Sequence, residues 1–129
     1  MPNLKKGKIN FTIKITEKEF LSQVKDLAKI YHWRLYHPFL SKWSERGYPD
    51  ITLIRPPRLI FAELKREKGK LTESQEEWAE LLKACPGVEY YIWKPSDIEQ
   101  IAGILIREDK VKIINDNTVE IVNVICDGE

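Results

Sequence analysis

The sequence predicts an α/β domain in which helices cover both sides of a mixed β-sheet. Helical apolar stripes near 16–31, 72–86 and 96–106 alternate with short β-branched and aromatic runs at 33–36, 51–54, 58–62 and 88–93. Alternation of this kind is what helices packed on a sheet require. A length of 129 residues with 43% hydrophobic content fits a single domain, 1–129, that buries a core without disulfide or metal staples. No apolar run approaches the ~20 residues of a membrane span, and the N-terminus lacks the apolar centre of a secretory signal. A soluble, cytoplasmic protein is expected, with no membrane partner. Cys85 and Cys126 have no CxxC or His-rich companions, so reduced thiols are expected and a zinc site is not.

The elements follow in order. Met1 to Lys8 carries Lys5, Lys6 and Lys8 without an acid and reads as a basic leader. Ile9, Phe11, Ile13 and Ile15 alternate with polar residues, the pattern of a half-buried strand. Thr16-Glu17-Lys18-Glu19 fits a capping box, and Phe20, Val24, Leu27, Ala28 and Tyr31 continue it as a helical stripe. Trp33, Leu35 and Tyr36 suggest a short strand. The stretch from His37 to Gly47 reads as a long aromatic loop, in which His37 is expected to be a hydrogen-bonded structural residue. Thr72 caps a second helix with Gln75 at the fourth capping-box position and with Trp78, Leu81 and Leu82 inward, and Pro86-Gly87 ends it. Val88 to Trp93 is a strand, and Ser96 is expected to cap a third helix through Ile106, with Ile98, Ile101, Ala102 and Leu105 as its apolar side. Val111–Ile114 and Thr118–Ile125 flank Asn115-Asp116-Asn117 as a terminal hairpin.

Chemistry concentrates between Gly47 and Gln75. Ile51-Thr52-Leu53-Ile54 and Arg58-Leu59-Ile60-Phe61-Ala62 are separated by Pro56-Pro57 and read as an antiparallel hairpin. Centring it between the prolines sets Arg55 against Arg58, Leu53 against Ile60, and Asp50 against Glu63. Neither proline can take φ > 0, so a primed two-residue turn is excluded and a one-residue slip stays open. Two facing carboxylates raise each other's pKa unless a cation neutralises them. Mg²⁺ (or Mn²⁺) suits such a pair, because it is typically held by one or two carboxylates and completes its shell with water and phosphate oxygens. Lys65 falls two residues after Glu63 on the same strand face, placed to stabilise charge developing on a phosphate.

Charge distribution points the same way. The formal net charge is +1, yet residues 55–70 hold six cations (Arg55, Arg58, Lys65, Arg66, Lys68, Lys70) against Glu63 and Glu67, a local +4. Residues 97–129 hold three cations against eight acids, a local −5. The first segment is a candidate phosphate-contacting face. Lys42, Trp43 and Arg46, just ahead of Asp50, are candidates for gripping a nucleic-acid backbone or stacking on a base.

Pro49-Asp50 followed by Glu63-Leu64-Lys65 resembles the PD-(D/E)xK signature of the restriction-endonuclease-like nuclease superfamily. With Gly47-Tyr48 ahead and Gln75 at the head of a helix, the string is similar to its VRR-NUC branch, over about Thr16 to Ile106. The resemblance implies a nuclease core near 16–106 with residues 107–129 as an accessory hairpin. It implies a Mg²⁺- or Mn²⁺-dependent phosphodiester hydrolase, with metal held by Asp50, Glu63, the Leu64 carbonyl and the first-helix Glu19. Lys65 would assist the water and transition state, and Gln75 would position Lys65 or the water. Similar stand-alone proteins are small homodimers that cut branched DNA such as Holliday junctions. The alternative from another class is a catalytically silent nucleic-acid-binding or assembly module with the same fold.

Overall fold

A computed structural model describes residues 15–38, 45–115 and 118–124, with backbone alone for 110–115 and 118–124. The basic leader, residues 9–14 of the first expected strand, Lys42, Trp43 and the turn at Asp116-Asn117 lie outside the described residues.

Helix α1 (Glu17–Ile30) begins where the Thr16 hydroxyl accepts from the Glu19 N–H at 3.1 Å, and it buries Phe20, Val24 and Ala28 on one side. His32 takes a positive φ of 66° and turns the chain into β1 (Arg34–Tyr36). Strands β2 (Ile51–Arg55) and β3 (Arg58–Leu64) form the expected hairpin. Its register is unslipped, with Arg55 opposite Arg58 and Leu53 opposite Ile60, around a cis Pro56-Pro57 bond. Helix α2 (Glu73–Lys83) crosses over to β4 (Val88–Trp93), which pairs parallel to β3. A 3₁₀ turn (Pro95–Asp97) leads into α3 (Ile98–Ile106), and β5 (Glu108–Asn115) and β6 (Thr118–Val124) form a separate antiparallel pair.

The main sheet runs β1-β2-β3-β4, antiparallel except for the last pair. Its alternation places Ile51, Leu53, Ile60, Ala62 and Trp93 on one face, where they pack with Phe20, Val24 and Ala28 of α1 and Ile101 and Leu105 of α3. Ile60 is fully buried, and truncating such a residue to alanine typically costs about 2–5 kcal/mol. The opposite face receives α2, through the Tyr48 ring standing edge-on to both Phe61 and Trp78. No helix among the described residues is long and apolar enough to cross a membrane.

Three expectations are corrected here. Leu81 is 67% exposed and Ala79 faces the sheet instead, because the inward stripe runs through 75, 78, 79 and 82 and position 81 falls off it. Ser96 does not cap α3. Asp97 occupies that position, while the Ser96 N–H and hydroxyl donate to the Glu67 carboxylate at 2.7 and 2.8 Å. Arg55 and Arg58 do not join a phosphate-contacting face, since both turn inward at the hairpin's closed end. Arg58 is 2% exposed and grips Glu89 through Nε and Nη2 at 2.7 and 2.6 Å. Its Nη1 donates to the carbonyls of Ile104 and Arg107, each at 2.7 Å.

Those carbonyls belong to the end of α3, where a helix leaves its last C=O groups without intrahelical donors. Arg55 adds bonds to the Tyr31 carbonyl at 2.8 Å and to the Arg107 carbonyl. Both guanidinium groups lie over the Trp33 ring, at 4.9 and 4.8 Å from its centroid. Burial pulls the Glu89 carboxyl upward, but hydrogen bonds from Arg58 and Tyr91 and the charges of Arg58 and Arg107 outweigh it and hold the pKa below its ordinary value.

Candidate active site

The open end of the same hairpin is built differently. Gly47 takes φ +86°, and a Cβ there would stand 2.4 Å from the Ser74 carbonyl oxygen. Only glycine lets this segment run against the first turn of α2. Tyr48 then wedges between Phe61 and Trp78, at 6.2 and 5.0 Å between ring centroids. Trp78 Nε1–H ties the loop down by donating to the Arg46 carbonyl at 3.1 Å. With Pro49 fully buried, Asp50 is delivered to the strand end, where Oδ2 accepts from the Leu64 N–H at 2.8 Å. This contact carries the ladder one step past Ile51 and Ala62, so Asp50 stands opposite Glu63. A residue in an extended strand points its N–H and C=O to the same edge, which turns the Leu64 carbonyl toward Asp50 as well.

Glu63 is 1% exposed. Its Oε2 accepts from Gln75 Nε2–H at 3.0 Å, and its Oε1 is buried without a hydrogen-bond partner among the described residues. Lys65 anchors its N–H to the Trp93 carbonyl at 2.8 Å and sends Nζ to Gln75 Oε1, also at 2.8 Å. Gln75 Oε1 accepts in addition from the Thr72 N–H at 2.9 Å, while the Gln75 N–H returns to the Thr72 hydroxyl at 3.2 Å. One amide thus closes the capping box of α2 and bridges the acid to the lysine. The two roles are not exclusive.

The electrostatics follow from burial. Desolvation, then the neighbouring Asp50 charge, pushes the Glu63 pKa up to about 8, against a smaller downward pull from Lys65. On the same face, the Tyr90 hydroxyl is buried without a hydrogen-bond partner among the described residues, and its pKa is pushed up to about 12 by desolvation and then by the charges of Glu63 and Asp50. An orphaned carboxylate oxygen beside a second carboxylate is the arrangement a divalent cation relieves. Among the described residues no group of three or more His, Cys, Asp or Glu side chains converges. The groups present, a carboxylate pair and a main-chain carbonyl, are oxygen donors of the kind hydrated Mg²⁺ or Mn²⁺ takes, without the Cys or His ligands zinc prefers.

A cleft of about 600 Å³ opens over this cluster, and Asp50, Leu64, Lys65 and Gln75 form part of its wall. Arg66 and Lys70 line it, and Arg46 lines a neighbouring groove that shares Gln75. Lys68 is exposed on the same loop. Removing Arg55 and Arg58 leaves four cations (Lys65, Arg66, Lys68, Lys70) against Glu63 and Glu67, a local +2 rather than +4. Glu19 is not brought to the site. It is exposed and off the cleft wall, whereas Glu17 is on the wall and pairs with Arg66 at 3.1 Å, both largely exposed. Positions two apart on a helix point about 200° from each other, so only one of the two can face the cleft. Lys18 and His37 also line it. His37 is exposed there, contrary to the expected structural role. Nothing local in the sequence marks Tyr90, because its approach to Glu63 depends on the parallel β3–β4 register.

No family model and no curated protein matches the sequence. A solved VRR_NUC domain superposes with a TM-score of 0.55 at 18% identity, covering 66% of this chain and 91% of that one. At this identity the likeness is one of fold, a mixed sheet flanked by helices.

Proposed function

We propose that this protein is a Mg²⁺- or Mn²⁺-dependent nuclease of the PD-(D/E)xK type that hydrolyses phosphodiester bonds in DNA. The observation that carries the reading is the buried Glu63, with one oxygen unpartnered, facing Asp50 and linked to Lys65 through Gln75. The fold likeness to a VRR_NUC domain supports it. Asp50, Glu63 and the Leu64 carbonyl would hold the metal. Such an ion neutralises phosphate charge and lowers the pKa of a bound water.

The chain's own residues supply the rest. Lys65 Nζ, held at 2.8 Å by Gln75 Oε1, keeps further N–H bonds for an oxygen of the scissile phosphate, where charge grows in the transition state. Gln75 fixes both Lys65 and Glu63 and is itself fixed by the helix cap, so the pair is preorganised before substrate arrives. Lys18, Arg66 and Lys70 on the cleft wall would meet flanking phosphates. Branched DNA, including four-way junctions, is the proposed substrate class. A symmetric homodimer would place two such sites for paired incisions. Light scattering at micromolar concentration should then give twice the 15.2 kDa chain mass, and a purely monomeric species with and without DNA would remove the dimer.

The direct test is incubation with branched, flapped, single-stranded and linear DNA in Mg²⁺, Mn²⁺ or EDTA. Cleavage that requires metal and disappears in Asp50→Asn is the expected result. Binding without cleavage of any substrate would assign the fold to a silent nucleic-acid-binding module.

A further inference from the structure

The sheet face that carries Glu63 is only partly covered. Helix α2 packs over β3 and β4, and among the described residues no helix covers the β1–β2 half of that face. Strand pairing sets out its rows. Glu63 and Asp50 form the first. Tyr36, Thr52 and Phe61 form the second, and Arg34, Ile54 and Leu59 the third. In the open half, Tyr36 is 61% exposed, Ile54 is 42% exposed and Arg34 is exposed. Single exposed apolar residues are common, but these three share one face and begin one row from the carboxylates. Diagonal neighbours across a strand pair lie about 7–8 Å apart, within reach of an aromatic side chain, and Asp50, two residues before Thr52, is in that position relative to Tyr36. Arg34 follows two residues further along the strand, about 6.8 Å away. His37, the residue after Tyr36, lines the cleft, so β1 ends at the candidate active site.

We propose that Tyr36 and Arg34 form a subsite for an unpaired nucleotide, the Tyr36 ring stacking on a base and Arg34 meeting the adjoining phosphate. Aromatic rings set beside cations are how proteins hold single strands, since every base offers a π-face and every linkage a charge. A paired base has its faces occupied by neighbours in the stack. The subsite therefore selects substrates with an unpaired segment next to the scissile phosphate. It rests on the nuclease reading for the position of that phosphate.

The test uses the full-length protein in EDTA, where no cleavage occurs, and measures fluorescence anisotropy with two labelled strands of equal length. One is oligothymidylate and the other is a base-free deoxyribose-phosphate strand of the same charge. The wild type should prefer oligothymidylate by about tenfold, the order expected of one stacked base. Tyr36→Ala should erase that preference while leaving affinity for the base-free strand unchanged, and Tyr36→Trp should keep it. Arg34→Ala should weaken both strands alike and lower the slope of log affinity against log salt by about 0.7. Retention of the preference in Tyr36→Ala, or its absence in the wild type, overturns the subsite. A wild type that shows the preference but cuts nothing in Mg²⁺ or Mn²⁺ upholds the subsite and overturns the nuclease reading instead.

Discussion

The two ends of the β2–β3 hairpin bury charge in opposite ways. At the closed end, Arg58 is 2% exposed and finds Glu89 and two carbonyls. At the open end, Glu63 is 1% exposed and accepts from the Gln75 amide, and its other oxygen has no hydrogen-bond donor among the described residues. The consequences for pKa diverge accordingly, since Glu89 is held below its ordinary value and Glu63 is pushed up to about 8. A buried charge whose hydrogen bonds are complete is cross-linking the fold. One left incomplete beside a like charge costs stability, and its retention needs a reason outside folding.

Exchanging the chemistry at each end breaks the comparison most sharply. Asp50→Asn and Glu63→Gln keep side-chain shape but remove a negative donor. Each should lower the cleavage rate by at least about a thousandfold, roughly 4 kcal/mol in the barrier. Gel-shift affinity in EDTA should stay near wild type, and cleavage at the wild-type rate in either variant would break the assignment. Arg58→Ala should do the reverse. It strands Glu89 and the α3 carbonyls, costing about 3–5 kcal/mol as removal of one partner of a buried pair does. Urea denaturation reads that loss, and the fraction that remains folded should cut normally.

The pH dependence of the metal-free protein sharpens the contrast further. Glu63 releases its proton near 4.5 in the unfolded chain but only near 8 in the folded one. The folded state therefore binds more protons through this window, and stability falls as pH rises from 4.5 to 8. Glu63→Gln should flatten that stretch of the urea-midpoint profile. Added Mg²⁺ should restore the wild type at pH 8 and leave the variant unmoved.

The smallest effects separate positioning from capping. A glutamate at position 75 can still accept from Thr72 N–H and Lys65 Nζ, but it replaces the donor to Glu63 with another carboxylate. Gln75→Glu should keep its cap and lose about tenfold in rate, ~1.4 kcal/mol. Glu19→Gln, on an exposed site off the cleft wall, should stay within about ±0.5 kcal/mol in stability. Its rate should match wild type across a Mg²⁺ titration.

By itself the sequence determined whatever neighbours in the chain encode. The diproline and the alternation on either side of it set the hairpin and put Lys65 on the face of Glu63, while a one-residue slip stayed open until the packed sheet fixed Leu53 opposite Ile60 and so Asp50 opposite Glu63. Thr72 and Gln75 announced the α2 capping box that formed. Tertiary structure decided which charges were consumed by folding. Arg58 meets Glu89 across 31 residues and the Arg107 carbonyl across 49, so nothing beside it in the chain separates it from the cations of the cleft. The direction in which α1 docks chose Glu17 over Glu19, and the seating of α2 turned Ala79 inward and Leu81 outward. The parallel pairing of β4 set Tyr90 near the acids. Periodicity says which residues share a face, but what covers that face depends on contacts between distant segments, and these exist only once the chain has packed.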